Sequence, residues 1–110
     1  MDELIARLEA AGPSLEHVLL YDVLKMARNR GWISESIYER ATRYRYNGAH
    51  ENAALMLLPE GYEVSDATWH EDGKAWVSVS EIPPMFSAEG KTFPLALCIA
   101  ALKARSKTDK

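Results

Sequence analysis

The chain has 110 residues, a hydrophobic fraction of 47% and a formal net charge of −3. This length predicts one domain, residues 1–110, with an apolar core, and the acidic balance argues against a dedicated nucleic-acid coat protein. The single cysteine excludes an intramolecular disulfide and is typical of a reducing compartment. The chain shows no basic N-terminal region and no apolar run near the roughly 20 residues that span a bilayer. We therefore expect a soluble cytoplasmic protein with no signal peptide and no membrane partner.

The N-terminal part of the chain predicts a mostly helical segment, residues 1–45. An amphipathic pattern over residues 2–11 ends at Gly12-Pro13. Ser14 is the expected N-cap of a second helix, which ends before Gly31. Ser34 is the expected N-cap of a third helix that runs to about residue 44. The apolar stripe predicted for the second helix consists of Leu15, Val18, Leu19, Val23 and Met26.

The next segments change from a helical to a strand pattern. A fourth helix is expected over residues 49–58, where Pro59-Glu60-Gly61 ends it. Residues 62–70 partly alternate, which predicts Tyr62, Val64 and Thr68 on one face of a strand. Residues 74–80 alternate as well, and the intervening Asp72-Gly73 is a strong signal for a β-hairpin.

The C-terminal part predicts a loop and then a buried helix. Residues 82–90 are expected to form a loop, because the adjacent Pro83 and Pro84 do not fit a central strand. Thr92 is the expected N-cap of the last helix, which is apolar nearly all round to Leu102 and therefore predicted to be buried. The polar residues after it, 103–110, are expected to fray, with 106–110 forming a tail.

These elements predict an α+β fold: a small antiparallel hairpin sheet packed with helices, preceded by a helical segment. Two strands alone are only marginally stable, so the hairpin needs more partners. A third strand could come from residues 85–91, or a second copy of the chain could extend the sheet. The small core and the exposed strand edge favour the second possibility slightly, so we expect a homodimer.

Two stretches resemble a known group of proteins. Residues 55–62 end a helix in Pro-Glu-Gly-aromatic, and residues 92–104 contain Leu-Ala-Leu-Cys-x-Ala-Ala-Leu-x-Ala, with a Trp-containing hairpin between them. In these features, residues 46–105 resemble small phage-encoded proteins with a phage α-β-α (ABA) sandwich domain. Phe93 departs from the group's pattern by separating the threonine from Pro94, and residues 13–45 have no clear counterpart. The resemblance implies a phage or prophage accessory protein in the host cytoplasm, and it transfers no catalytic residues.

The segment around residue 43 is the strongest candidate for ligand binding. Residues 25–45 hold six cations and two anions, a net charge of +4. Within it, Arg40 and Arg43 share a helix face, and Arg45 lies beside Tyr44. Arginine matches phosphate and carboxylate geometry, and tyrosine offers a ring for stacking. A nucleotide or another anionic ligand, a nucleic-acid backbone or an acidic protein surface would suit such a patch. The alternative interpretation, a solvated helix face, stays open.

Aromatic residues near the hairpin are a second candidate. Trp69 and Trp76 flank its turn, and Met85 and Phe86 follow it. Cross-strand packing is the ordinary role of such tryptophans. If one of them faces outward beside Met85 and Phe86, the group predicts a contact surface for a partner protein, since tryptophan is enriched in interface hot spots.

No residue pattern indicates catalysis, a metal or a cofactor. The three histidines are far apart in sequence and lack ligands at metal-binding spacing. Cys98 lies in the most apolar helix and is interpreted as a small buried hydrophobe. Nucleophile-elbow and phosphate-loop motifs do not occur. We therefore predict a protein without enzymatic activity or a cofactor.

Three functions fit these observations. The first is a non-catalytic phage accessory protein that binds and inhibits a host protein, such as a component of antiviral defence. The second is a small-ligand or nucleotide-binding protein, of a sponge-like kind, that uses the Arg/Tyr patch. The third, a nucleic-acid-associated regulator, is disfavoured by the net negative charge.

Overall fold

The computed structural model describes residues 2–72, 74–80 and 85–108. The chain has an α+β fold with N-terminal helices, as the sequence predicts. Its helices are α1 (Asp2–Ala10), α2 (Glu16–Asn29), α3 (Glu35–Tyr46), α4 (His50–Leu55) and α5 (Phe93–Thr108), with a short 3-10 helix at Pro13–Leu15. Its strands are β1 (Glu63–Trp69), β2 (Ala75–Ser80) and β3 (Met85–Gly90).

Helix α5 forms the centre of the core. Every residue from Leu95 to Leu102 is buried, which confirms the prediction from its all-round apolar pattern. The strands β2 and β3 pack against it, and α1, α2 and α4 also contact it. The contact with β3 is close at Gly90, where a Cβ atom would lie 2.7 Å from the backbone nitrogen of Ala96. The helix continues to Thr108, so the prediction that the chain frays from residue 103 onward is wrong for residues 103–108.

Arg105 explains part of this extension. Its Nε donates to the Leu57 carbonyl oxygen at 2.9 Å, and its Nη2 donates to that of Leu58 at 3.2 Å. These bonds join the last turns of α5 to the segment that follows α4. The sequence predicts that the fourth helix runs to residue 58. In the structure α4 ends at Leu55, and turns follow it.

The three strands form one antiparallel sheet in the order β1-β2-β3. Ala75, Val77 and Val79, which alternate along β2, are all buried and form its core face. A register shift between Val64 and Asp66 interrupts the pairing of β1 with β2. A bulge of this kind changes the side-chain phase, so Ala67 rather than the predicted Thr68 shares the core face with Val64.

The third strand comes from the chain itself. Met85–Gly90 pairs along β2 with Phe86 opposite Val79 and Ala88 opposite Val77, so the prediction of a loop over this part is wrong. Pro83 and Pro84, which motivated that loop, lie outside the described residues, as does Gly73 of the predicted turn. A second copy of the chain is not needed to supply a third strand. The homodimer stays a prediction, which a light-scattering mass of one chain would contradict.

Glycines end two of the helices. Gly31 has a φ of +75°, and the Trp32 amide donates to the Ala27 carbonyl at 2.9 Å, which makes the predicted C-terminal cap of α2 a Schellman motif. Gly48 has a φ of +78°, and the Ala49 amide donates to the Tyr44 carbonyl at 2.8 Å in the same way. This second motif turns the chain directly into the first turn of α4.

The helix starts agree less well with the sequence. Ser34 caps α3 as predicted, because its Oγ accepts from the Ile37 amide at 3.1 Å. Ser14 does not cap α2, since it lies within the 3-10 helix and Leu15 precedes α2 without a side-chain cap. Among the described residues, no helix is long and apolar enough to cross a membrane.

Candidate functional site

The predicted Arg/Tyr patch is divided between two environments. Arg40 and Arg43 are exposed on α3, as their shared face predicts, whereas Tyr44 packs partly buried against the core. Arg45 points elsewhere and only 6% of it is exposed. Residues two or five positions apart on a helix lie on different faces, so Arg45 belongs to a different surface from Arg43 and Arg40.

The predicted aromatic surface is also divided. Trp69 is 60% exposed and stacks on Phe93 of α5, with ring centroids 5.0 Å apart. Phe86 also faces the core side, at the other end of the sheet, where its ring lies 6.2 Å from that of Tyr62. Trp76 and Met85 lie on the opposite face of the sheet. Met85 of β3 pairs with Ser80 of β2, which is four residues from Trp76 along that strand. The structure therefore does not bring these four side chains into one patch.

Arg45 lies between aromatic rings instead. Its Cζ atom is 5.0 Å from the ring centroid of Tyr21 and 4.8 Å from that of Tyr46. Its Nη1 donates to Nε2 of His17 at 2.7 Å, which requires that this nitrogen carries no proton. The rings and the imidazole lone pair stabilise the guanidinium in place of water. We call the group of His17, Arg45 and His50 the cationic cluster.

The charge of Arg45 has no acidic counterpart in the described part of the chain. No carboxylate oxygen of residues 2–72, 74–80 or 85–108 lies within 4.0 Å of its guanidinium. Within the same described ranges, its buried Nε has no hydrogen-bond partner. Removing a cation from water is costly unless an anion compensates it, so this arrangement favours the approach of an external anion.

His50 connects the cationic cluster to a carboxylate. Its ring lies 5.9 Å from that of His17, and its Nδ1 makes a hydrogen bond to Oε1 of Glu16. Thr92 donates its hydroxyl proton to the other carboxylate oxygen, Oε2. Both oxygens of this largely buried carboxylate are therefore engaged within the protein. Thr92 also accepts from the Leu95 amide at 3.3 Å, which confirms its predicted role at the start of α5.

A polar pocket opens next to this contact. Its volume is about 370 Å³, within the range of small-ligand sites. The first turns of α2, α4 and α5 meet around it, and the Schellman motif after α3 supplies its Gly48–Ala49 edge. His50 belongs to both the pocket and the cationic cluster. The lining residues are Glu16, Gly48, Ala49, His50, Glu51, Asn52 and Pro94.

Cys98 lies behind this region. The thiol is buried, as predicted, and burial raises its pKa from the usual 9.0 to about 12, with a further contribution from the negative charge of Glu16. The thiol is therefore protonated at neutral pH. Within the described ranges, no three His, Cys, Asp or Glu side chains are arranged to hold a metal ion.

Sequence reasoning found only one member of this site, Arg45. The sequence gives no reason to single out Glu16, it shows no metal-ligand spacing for His17 and His50, and it predicts Thr92 as a helix cap alone. The contacting residues are 28 to 76 positions apart in the chain, so no local motif joins them. The available signal was the position of Glu16, His50 and Thr92 at or just before predicted helix starts, which only tertiary packing brings together.

No known protein family, curated protein or solved structure shows significant similarity to the chain. The resemblance to phage α-β-α sandwich proteins therefore stays a prediction.

Proposed function

We propose that this protein is a non-catalytic binding protein for a small anionic ligand, which it holds at the cationic cluster of His17, Arg45 and His50. The observation that carries this proposal is the nearly buried Arg45, which lacks a carboxylate partner among the described residues and retains an unpaired Nε. An anion at this position supplies the missing countercharge.

The chemistry of the cluster suits an oxyanion. Guanidinium groups bind phosphate and carboxylate oxygens through parallel N–H donors, and such charge-assisted bonds are stronger than neutral ones. A ring nitrogen of His17 or His50 that carries a proton and is not already bonded to Arg45 or Glu16 can also donate to the anion. The carboxylate of Glu16 repels a bound anion less than an unpaired carboxylate would, because His50 and Thr92 already engage both of its oxygens.

Thermal unfolding in inorganic phosphate tests the proposal, with sodium chloride at matched ionic strength as the reference. A ligand selective for the folded state raises the melting temperature by an amount that increases with its concentration. We expect this rise for the wild type and for the double variant Arg40→Ala, Arg43→Ala. We expect none for Arg45→Met, which keeps the buried volume but removes the charge.

The matched double variant separates the two arginine surfaces. Loss of the phosphate effect in Arg40→Ala, Arg43→Ala, with the effect retained in Arg45→Met, would move the site to the exposed face of α3. The absence of any phosphate effect in the wild type, both by melting and by calorimetric titration, would overturn the proposal.

A second candidate function is binding of a host protein by a phage accessory protein, as the resemblance implies. One observation favours it: Leu15 and Val18, predicted to face the core, are about half exposed. They line a largely apolar groove of about 250 Å³, together with Arg7, Ala10, Ala11 and Leu19. Exposed apolar side chains of this kind are typical of contact surfaces.

Affinity capture from nuclease-treated host lysate tests this second function. We expect one host protein in stoichiometric amount with the wild type and its loss with Val18→Lys, while Lys25→Glu, on the same helix, serves as a charged control. Equal recovery with Val18→Lys would exclude the groove as the contact surface.

A further inference from the structure

The polar pocket presents more hydrogen-bond acceptors than an inorganic anion has donors to satisfy. Glu51 and Asn52 line it beside Glu16, whose two oxygens His50 and Thr92 already engage. Among the described lining residues, His50 is the one side chain that can carry a positive charge. An anion at the cationic cluster would leave most of the volume of about 370 Å³ unfilled. A ligand that also fills this volume would therefore carry a neutral, polar part able to donate hydrogen bonds.

Hydroxyl groups have this chemistry. The carboxylate of Glu51 and the amide oxygen of Asn52 each accept hydrogen bonds from O–H groups, and bonds to a charged acceptor are the stronger.

We infer that the ligand is a phosphorylated sugar, with its phosphate at the cationic cluster and its hydroxyl groups in the polar pocket. This inference rests on the proposed anion-binding function and specifies its ligand class. His50 lies at the junction, because its ring is 5.9 Å from that of His17 while the same residue lines the pocket. The shared chemistry is a sugar phosphate, and its source is either a free sugar phosphate or the ribose phosphate of a nucleotide.

Tyr46 distinguishes these two sources. It is 73% exposed, and one face of its ring lies over the Arg45 guanidinium. A base attached to the sugar could stack on the remaining face. A nucleotide would therefore gain affinity over the sugar phosphate alone, and Tyr46→Leu would remove that gain.

Calorimetric titration with inorganic phosphate, ribose, ribose 5-phosphate and adenosine 5′-monophosphate tests the inference. We expect ribose 5-phosphate to bind about tenfold more tightly than phosphate, which corresponds to one or two added hydrogen bonds. Ribose without phosphate should bind more weakly than either. Tighter binding of adenosine 5′-monophosphate than ribose 5-phosphate would identify the nucleotide as the source, and equal binding would identify the free sugar phosphate.

The double variant Glu51→Ala, Asn52→Ala provides a readout that general destabilisation cannot imitate. Both residues are exposed, so the fold should tolerate their loss. Affinity for ribose 5-phosphate should fall to that of phosphate, while affinity for phosphate should stay constant or rise, because a negative charge is removed. Glu60→Ala, an exposed glutamate that does not line the pocket, should change neither value.

Equal affinities of the wild type for phosphate and ribose 5-phosphate would overturn this inference and leave the anion-binding function standing. Failure of every phosphate compound to bind would overturn both. A preference for ribose 5-phosphate that survives in the double variant would place the sugar outside the polar pocket and contradict the inference as well.

Discussion

The apolar body of α5 and the polar site at its N-terminal end are assembled in different ways. The body is enclosed by the sheet and by neighbouring helices through side chains whose burial follows from local sequence periodicity. The polar site joins Glu16, His50 and Thr92, which belong to three separate elements. Apolar packing determines where the helices lie, and the polar contacts depend on that placement. Substitutions in the body should therefore affect stability, whereas substitutions in the site should affect binding more.

The largest loss of stability is expected within the apolar body. Leu97→Ala removes a side chain that is fully buried in α5 and leaves a cavity. We expect the free energy of unfolding in urea to fall by about 2–5 kcal/mol. Leu55→Ala is a suitable control, because that leucine is 41% exposed and its truncation should cost far less. Similar costs at the two positions would mean that α5 is not the centre of the core.

A smaller effect is expected where the sheet meets the helix. Gly90→Ala places a Cβ atom 2.7 Å from the Ala96 backbone nitrogen, so β3 or α5 must shift. Overpacking of this kind costs about 1–3 kcal/mol in the free energy of unfolding. Gly12→Ala is the matched control, since a Cβ atom there meets no neighbour within 4 Å. If both variants were as stable as the wild type, the close approach of β3 to α5 would be wrong.

The polar site offers the next test, through a double-mutant cycle. Glu16→Gln weakens the charge-assisted bonds to His50 and Thr92 and should cost about 1.5 kcal/mol. His50→Gln should show a coupling energy with Glu16→Gln of about 0.5–3 kcal/mol, because the two side chains are in contact. Pairing Glu16→Gln with Glu60→Gln should show additivity. Additivity in the first cycle as well would show that the Glu16–His50 contact does not form in solution.

The same contrast explains how much of the structure could be predicted from sequence. Ser34 and Gly31 mark helix ends through local backbone requirements, and the burial of α5 follows from its composition, so these predictions are confirmed. A third strand from residues 85–91 is only the less favoured of two possibilities in the sequence, because the adjacent Pro83 and Pro84 predict a loop over residues 82–90. The second-helix stripe was wrong at Leu15 and Val18, because periodicity cannot tell which apolar residues find a partner.

The polar site could not be predicted from the sequence, for a different reason. His17 and Arg45 lie 28 residues apart, and their contact depends on how α2 packs against α3. Arg45 was grouped with Arg40 and Arg43 because all three are cationic and close in sequence. The helical repeat places it on another face, and its burial there follows from the positions of Tyr21 and Tyr46. Charge patterns identify candidate residues, but only tertiary contacts show which of them act together.

The smallest effect at neutral pH is expected from the ionisation of Cys98. This residue links the apolar body of α5 to the polar site. Burial in α5 raises the pKa of its thiol from 9.0 to about 12, and the Glu16 charge adds to the rise. In the unfolded chain the thiol ionises near its usual pKa, so the folded state binds this proton more tightly. The resulting stability is fully present below about pH 9 and is lost as pH rises towards 12.

Denaturant unfolding of the wild type and Cys98→Ala between pH 8 and roughly pH 11 measures this loss. Other groups titrate in the same range, but they are common to both proteins and cancel in the difference. The alanine variant should be less stable at pH 8 because of its cavity. Its disadvantage should then shrink by about 1.4 kcal/mol per pH unit above pH 9. A difference independent of pH would show that the thiol is not held protonated by burial, and therefore that solvent reaches this side of α5 behind Glu16.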